Sequence, residues 1–115
     1  VIPSVAGHTD QYNKNKNFLN HLSTSKEPEH NWIITVAFYT ALHLVEKELK
    51  NKGLSATNHV NRNTLIGKQL KNIRKEYINL YRKSRESRYD CFIFKQVDSD
   101  WAINQLNIIE SKLSS

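Results

Sequence analysis

A single cysteine, Cys91, stands in a chain of 115 residues. That excludes an internal disulfide and any cysteine-pair metal site, and it points to a reducing, cytoplasmic setting. The three glycines, Gly7, Gly53 and Gly67, are isolated from one another, so the sequence has no Gly-rich loop to cradle a phosphate. Long apolar runs are missing too. The best candidate, Trp32 to Val45, falls short of the roughly 20 residues of a membrane span and contains His43. The opening VIPSVAG lacks the basic region and apolar stretch of a secretory signal. There is no methionine, even at the start. We therefore expect a trimmed start or a domain excised from a longer polypeptide, with companion domains missing. The pattern implies no cofactor, no metal and no membrane partner.

What is present is ordinary globular material with a basic balance. Seventeen Lys and Arg against eleven Asp and Glu leave a net charge of +6, which attracts nucleic acid or another anionic surface and equally describes a solvated basic face. The length suits one core and one domain. Its centre is Trp32 to Leu49, WIITVAFYTALHLVEKEL. At about 100° per residue, Ile34, Phe38, Ala41, Leu42, Val45 and Leu49 share one face, Ile33, Ala37 and Leu44 a second, and Trp32, Val36, Tyr39 and His43 a third stripe. A helix apolar nearly all round has to be covered by others. Pro28 before it and Gly53 after it mark its limits.

The other elements are arranged around that helix. Residues 1–8 read as a flexible tail or linker remnant, and residues 9–115 as the helical domain. Thr9 and Asp10 suit the N-cap of a first helix ending near Ser23, with Asn15, Phe18, Leu19 and Leu22 on one side. His21 and His30, near its end and in the next connection, read as exposed. A third helix is expected from about Asn61 to Ser84, with Ile66, Leu70, Ile73, Tyr77, Leu80 and Tyr81 inward and Lys68, Lys71, Lys75 and Arg82 outward. Between Arg85 and Val97 the helical period fails, and Tyr89, Cys91, Phe92, Ile93 and Phe94 crowd into an irregular or strand-like connection. Asp98 or Ser99 then caps a last helix with Ala102, Leu106, Ile109 and Leu113 as its stripe. Trp101 lies off that stripe, where it covers the preceding loop or meets a partner chain. The expected fold is all-α, an up-and-down four-helix bundle with room for an extra short helix.

The pieces WIITVAFYTALHLVEKEL, HVNRNTLI, YINLYRKSRESRYD and DWAINQL, in that order, resemble the higher-eukaryote and prokaryote nucleotide-binding (HEPN) superfamily. The similarity spans roughly residues 12 to 113. It is closest to a bacterial branch with an alanine-aromatic-histidine patch in helix two, His-x-x-Arg-Asn before helix three and Ser-Arg-x-x-Arg-Tyr after it. The resemblance implies a HEPN-like domain that dimerises and contacts RNA, a nucleotide or a companion protein, in a bacterial defence or toxin–antitoxin context. Ribonuclease members carry a His four to six positions beyond an Arg. Here His8, His21, His30, His43 and His59 all precede Arg62, Arg74, Arg82, Arg85 and Arg88, so that pair is absent.

Two functional expectations follow. The preferred one is a dimeric, HEPN-like binding module whose nucleic-acid contacts are Lys68, Lys71, Lys75, Arg82 and Arg85, and whose dimer contact is the stripe of Trp32, Val36, Tyr39 and His43. The alternative is a metal-independent ribonuclease with a non-standard set drawn from His43, His59, Arg62, Arg85 and Tyr89. Such cleavage needs a proton acceptor for the 2′-hydroxyl and cations for the phosphate. His43 and Glu46 have a two-ligand metal spacing without a third member; a core histidine bonded to a neighbouring helix is the plainer reading. Arg85, Arg88 and Tyr89 either bond helix-end carbonyls and fix the last loop or await an anion. A straight third helix would put His59 and Arg62 at the opposite end of the bundle from Arg85 and Arg88, and so prevent one site within a subunit.

Overall fold

The computed structural model describes residues 4–26, 28–89 and 93–114; Tyr89 is described by its backbone only. Cys91 and Phe92, expected in the crowded connection before the last helix, lie outside the described residues. Five α-helices run in chain order: α1 (Val5–Ser23), α2 (His30–Asn51), α3 (His59–Gln69), α4 (Arg74–Tyr89) and α5 (Gln96–Leu113), with a short 3₁₀ turn at Lys71–Ile73. Among the described residues there is no strand. The all-α class expected from the sequence is therefore observed.

α2 lies in the middle, packed against α1, α4 and α5. Ile33, Ile34, Ala37, Phe38, Ala41, Val45 and Leu49 are wholly or almost wholly out of water. Its end is set by Gly53, whose φ of +76° is the left-handed conformation that glycine adopts without steric cost. The N–H of Gly53 reaches the carbonyl of Lys50 at 2.9 Å, and that of Leu54 reaches Leu49 at 2.9 Å, closing a Schellman stop. The α5 stripe of Ala102, Leu106 and Ile109 is buried against this core, and Leu113 partly so.

Four expectations about the elements fail, each for a local reason. α1 starts at Val5, not after Thr9, because Ser4 is the cap: its Oγ accepts the N–H of Gly7 at 3.0 Å. Thr9 sits inside the helix, its hydroxyl donating to the Val5 carbonyl at 2.9 Å, so Val5 to His8 belong to the domain. The expected third helix is two. At Leu70 the backbone leaves the helical region (φ −134°, ψ 49°), yet Leu70 and Ile73 on either side of the break both bury into the core. Lys112 of α5 donates to the Asn72 carbonyl in the turn at 2.9 Å. The chain then reverses enough for Arg74 to lie across Gly67 of α3, where an added Cβ would stand 3.3 Å from Nε. α4 also continues through Arg85 and Arg88, where an irregular connection was expected.

α5 begins at Gln96 rather than after Asp98, and Asp98 reaches back to accept the Lys95 N–H at 2.9 Å. Trp101 is half-buried, and Lys83 lies over both its ring and that of Phe94 while pairing with Asp98 at 3.2 Å. Trp101 thus closes the α4–α5 side. His30 is half-buried rather than exposed, and its Nδ1 lies 2.8 Å from the Ser99 hydroxyl on α5.

If α2 is the hub of the fold, truncations should separate by burial rather than by hydrophobicity. Ile34→Ala, at a fully buried position, is expected to lower the unfolding free energy by about 2–5 kcal/mol in urea titration. Ile93→Ala, at a residue 91% exposed, is expected to change it by no more than about 0.5 kcal/mol.

Candidate functional site

The break at Leu70 brings the two ends of the expected third helix together. α3 starts at His59 because Asn58 caps it, its side chain accepting the Asn61 N–H at 2.8 Å. From there His59 packs its ring 5.3 Å from that of Tyr81 on α4 and 6.1 Å from that of Phe38 on α2. Phe38 is the floor of the assembly. Its ring also meets Tyr77 at 5.7 Å and Tyr81 at 5.6 Å, and the Arg88 guanidinium lies 5.7 Å from it. His59 and Arg62 therefore share one region with Arg85 and Arg88 inside a single subunit, which corrects the expectation that they lie at opposite ends.

A line of polar and ring contacts runs over that floor. Arg62 of α3 is ion-paired through Nε with Glu46 of α2, both side chains largely buried. Its Nη1 donates to His59 Nδ1 at 2.9 Å. A guanidinium can only donate, so neutral His59 carries its proton on Nε2 and spends its one lone pair on Arg62. At one end of the line, Arg85 donates to the Tyr81 hydroxyl at 3.2 Å. At the other, Glu46 and Arg62 line a cleft of about 510 Å³ with His8, His43, Lys50 and the 55–57 segment, and Lys50 donates to Ser55 at 2.6 Å. His43 Nδ1 lies 3.0 Å from His8 Nδ1 on α1, so it is a core-side histidine bonded to a neighbouring helix.

The electrostatics follow from this packing. Burial is the main reason that His8, His43 and His59 are held below the ordinary imidazole value. The cations Arg62, Arg88 and Arg85 push His59 further the same way. Burial also raises the Tyr77 hydroxyl well above its usual range. Near neutral pH His8, His43 and His59 are therefore neutral imidazoles. Among the described residues, no three His, Cys, Asp or Glu side chains come close enough to hold a metal ion.

Arg88 and Arg85 divide as their surroundings dictate. Arg88 is half-buried, stacked 5.3 Å from the Tyr39 ring and donating to the Ser84 hydroxyl at 2.6 Å. The carbonyl at this end of α4 is held by another side chain: Asn31 of α2 donates to the Ser87 carbonyl at 3.2 Å, and Thr35 and Ser87 share a hydroxyl contact at 2.9 Å. Arg85, one turn earlier on the same helix, is exposed. Of the expected basic stripe, Lys68, Lys71, Lys75 and Arg82 are all exposed, but the break separates Lys68 on α3 from Lys75 and Arg82 on α4.

Sequence reasoning missed His8, taken as tail, and gave Glu46 no part beyond a weak metal pair. It passed over Tyr81 except as core. The signal for His8 was available: Ser4 is as good a cap as Thr9, and starting there carries His8 into the helix. The partnership of Glu46 with Arg62 had none, since the two are 16 positions apart on different helices.

Removing one partner of a buried ion pair strands the other charge. Glu46→Ala is expected to cost about 3–5 kcal/mol in chemical denaturation. Asp10→Ala, at an exposed acid on α1, should stay within about 0.5 kcal/mol.

The sequence matches no protein-family model and no curated protein.

Proposed function

We propose that this chain is a HEPN-like helical binding module, an up-and-down bundle of α1, α2, α4 and α5 with α3 as the extra short helix, that contacts single-stranded RNA. The observation that carries this reading is the guanidinium–aromatic line of His59, Tyr81 and Arg85 over Phe38, continued by exposed Arg82 and Lys75 on α4. Exposed cations beside partly exposed rings suit a flexible strand: phosphates pair with the guanidinium and ammonium groups, and bases stack on the edges of the ring cluster. A binding role is favoured over catalysis at His59 because its lone pair is already committed to Arg62. The residues assigned to RNA are Arg85, Arg82, Lys75 and Lys71, with Lys68 on the adjoining helix.

RNA affinity should fall steeply with salt, and the Lys75→Glu/Arg82→Glu pair should flatten the slope by about one to two charges. The same double variant should unfold within about 0.5 kcal/mol of the parent. Filter binding of a mixed single-stranded pool at several salt concentrations reads both the loss and the slope. Unchanged affinity would assign the stripe to solvent.

A metal-independent ribonuclease is the second reading, and the His8–His43 pair favours it. One ring of such a pair donates its Nδ1–H, which leaves that ring's Nε2 lone pair available as a base beside the Glu46–Arg62 cleft. Incubating RNA in chelator separates the two: cleavage that disappears in His43→Ala supports the enzyme, and binding without cleavage supports the module.

We further propose that the module is a homodimer through α1 and α2. Phe18 and Trp32 are 52% and 59% exposed, and with Val36 and Tyr39 they border a shallow groove of about 350 Å³. Exposed aromatics gathered in one place are enriched at interface centres. His43 also lines the groove but is turned to His8, so Phe18 replaces it as the outer contact. Trp32→Glu should give a monomer by light scattering at concentrations where the parent is a dimer; a monomeric parent at high concentration would remove the proposal.

A further inference from the structure

We infer that the His8–His43 contact is a proton-operated latch that holds the first two turns of α1 against α2 and closes that end of the Glu46–Arg62 cleft. This inference does not depend on what the groove binds.

The contact is geometrically demanding. His8 is only 6% exposed, its ring centroid is 5.2 Å from that of His43, and the two Nδ1 atoms face each other at 3.0 Å. Two neutral rings satisfy this by one Nδ1–H donating to the other Nδ1, and a single added proton can be shared across the same line. A second proton cannot. Both Nδ1 atoms would then carry hydrogen and point at each other, leaving two like charges side by side, the His8 one out of water, with no acceptor between them.

The surroundings decide which charge state the closed form prefers. From α2, Glu46 and Lys50 face the pair, and from α3, Arg62 does. Glu46 favours protonation, but it is already engaged by Arg62, and both cations oppose it. On α1 itself Asp10 is exposed. Glu110 of α5 is taken by Tyr12 and Lys16, one and two turns further along α1. Those two bonds anchor the helix from Tyr12 onward and leave His8 to hold the turns before it.

Linkage gives the sign. The folded form holds both imidazoles below their unfolded value of about 6.5, so the latch is complete above that pH and is lost as pH falls below it. Opening follows the second proton, because the closed contact accommodates one. Below the ordinary imidazole value, each pH unit shifts the open-to-closed ratio by up to about tenfold per proton taken up on opening.

Hydrogen exchange read by mass spectrometry, corrected for intrinsic rates, tests the latch on the whole chain. Between pH 7.5 and 5.0, amides of residues 5–11 should lose about tenfold or more protection, while those of residues 12–22 keep theirs. His8→Gln retains a side chain that can accept from protonated His43 but never supplies the second charge. It should hold its protection at pH 5.0, and His43→Gln should do the same. Equal protection of residues 5–11 at both pH values in the parent would overturn the latch. So would an acid loss of unchanged size in both glutamine variants, which would place the cause at Glu46 instead.

Discussion

The burial of α2 is the constraint on which the rest of the structure depends. Its apolar surface is too wide for one neighbour, so α1, α4 and α5 each cover part of it. Burying large side chains stabilises by roughly 1.5–3 kcal/mol each, enough to organise a chain of this size around one element. The polar groups that α2 carries are then forced into company. Thr35 meets Ser87, Thr40 bonds back to the Val36 carbonyl at 2.7 Å, and Glu46 takes Arg62. These partnerships set where the functional groups stand.

α3 shows this most directly. It is short, and Ile66 is its one buried apolar residue among those described, so packing alone ties it weakly. The Glu46–Arg62 ion pair makes up the difference. It also spends Arg62 Nη1 on His59, which places that ring against Tyr81 and Phe38. The same guanidinium that docks the helix thus fixes the tautomer of His59. Catalysis and binding make opposite demands on such a residue: a base needs a free lone pair, whereas a contact residue needs only a fixed face and a donor.

Charge on the molecule is arranged in two ways. Arg88 and Arg62 are drawn inward, stacked on aromatic rings or paired with a carboxylate, where they hold helices together. Arg85, Arg82 and Lys75 stay outside on α4. A net charge of +6 therefore overstates the basicity of the interior and understates the contrast on the outer face of α4. No helix among the described residues is long and apolar enough to cross a membrane.

The sequence by itself determined the central helix, the stripe of α5 and the all-α class, because each rests on a local period that burial enforces and that reads directly from the residues. It also determined the stop at Gly53, where one residue type suits one backbone conformation. The break at Leu70 was hidden. Leu70 and Ile73 keep the same inward spacing whether the helix runs straight or turns back, so periodicity is blind to it. The start of α1 was hidden between two adequate caps, Ser4 and Thr9. The candidate site followed from those two points. Only the tertiary structure decided that His59 and Arg62 meet Tyr81 and Arg85, that Glu46 holds Arg62, and that His8 faces His43. Contacts between helices far apart in the chain depend on how the helices are laid together, and no spacing along one of them records it.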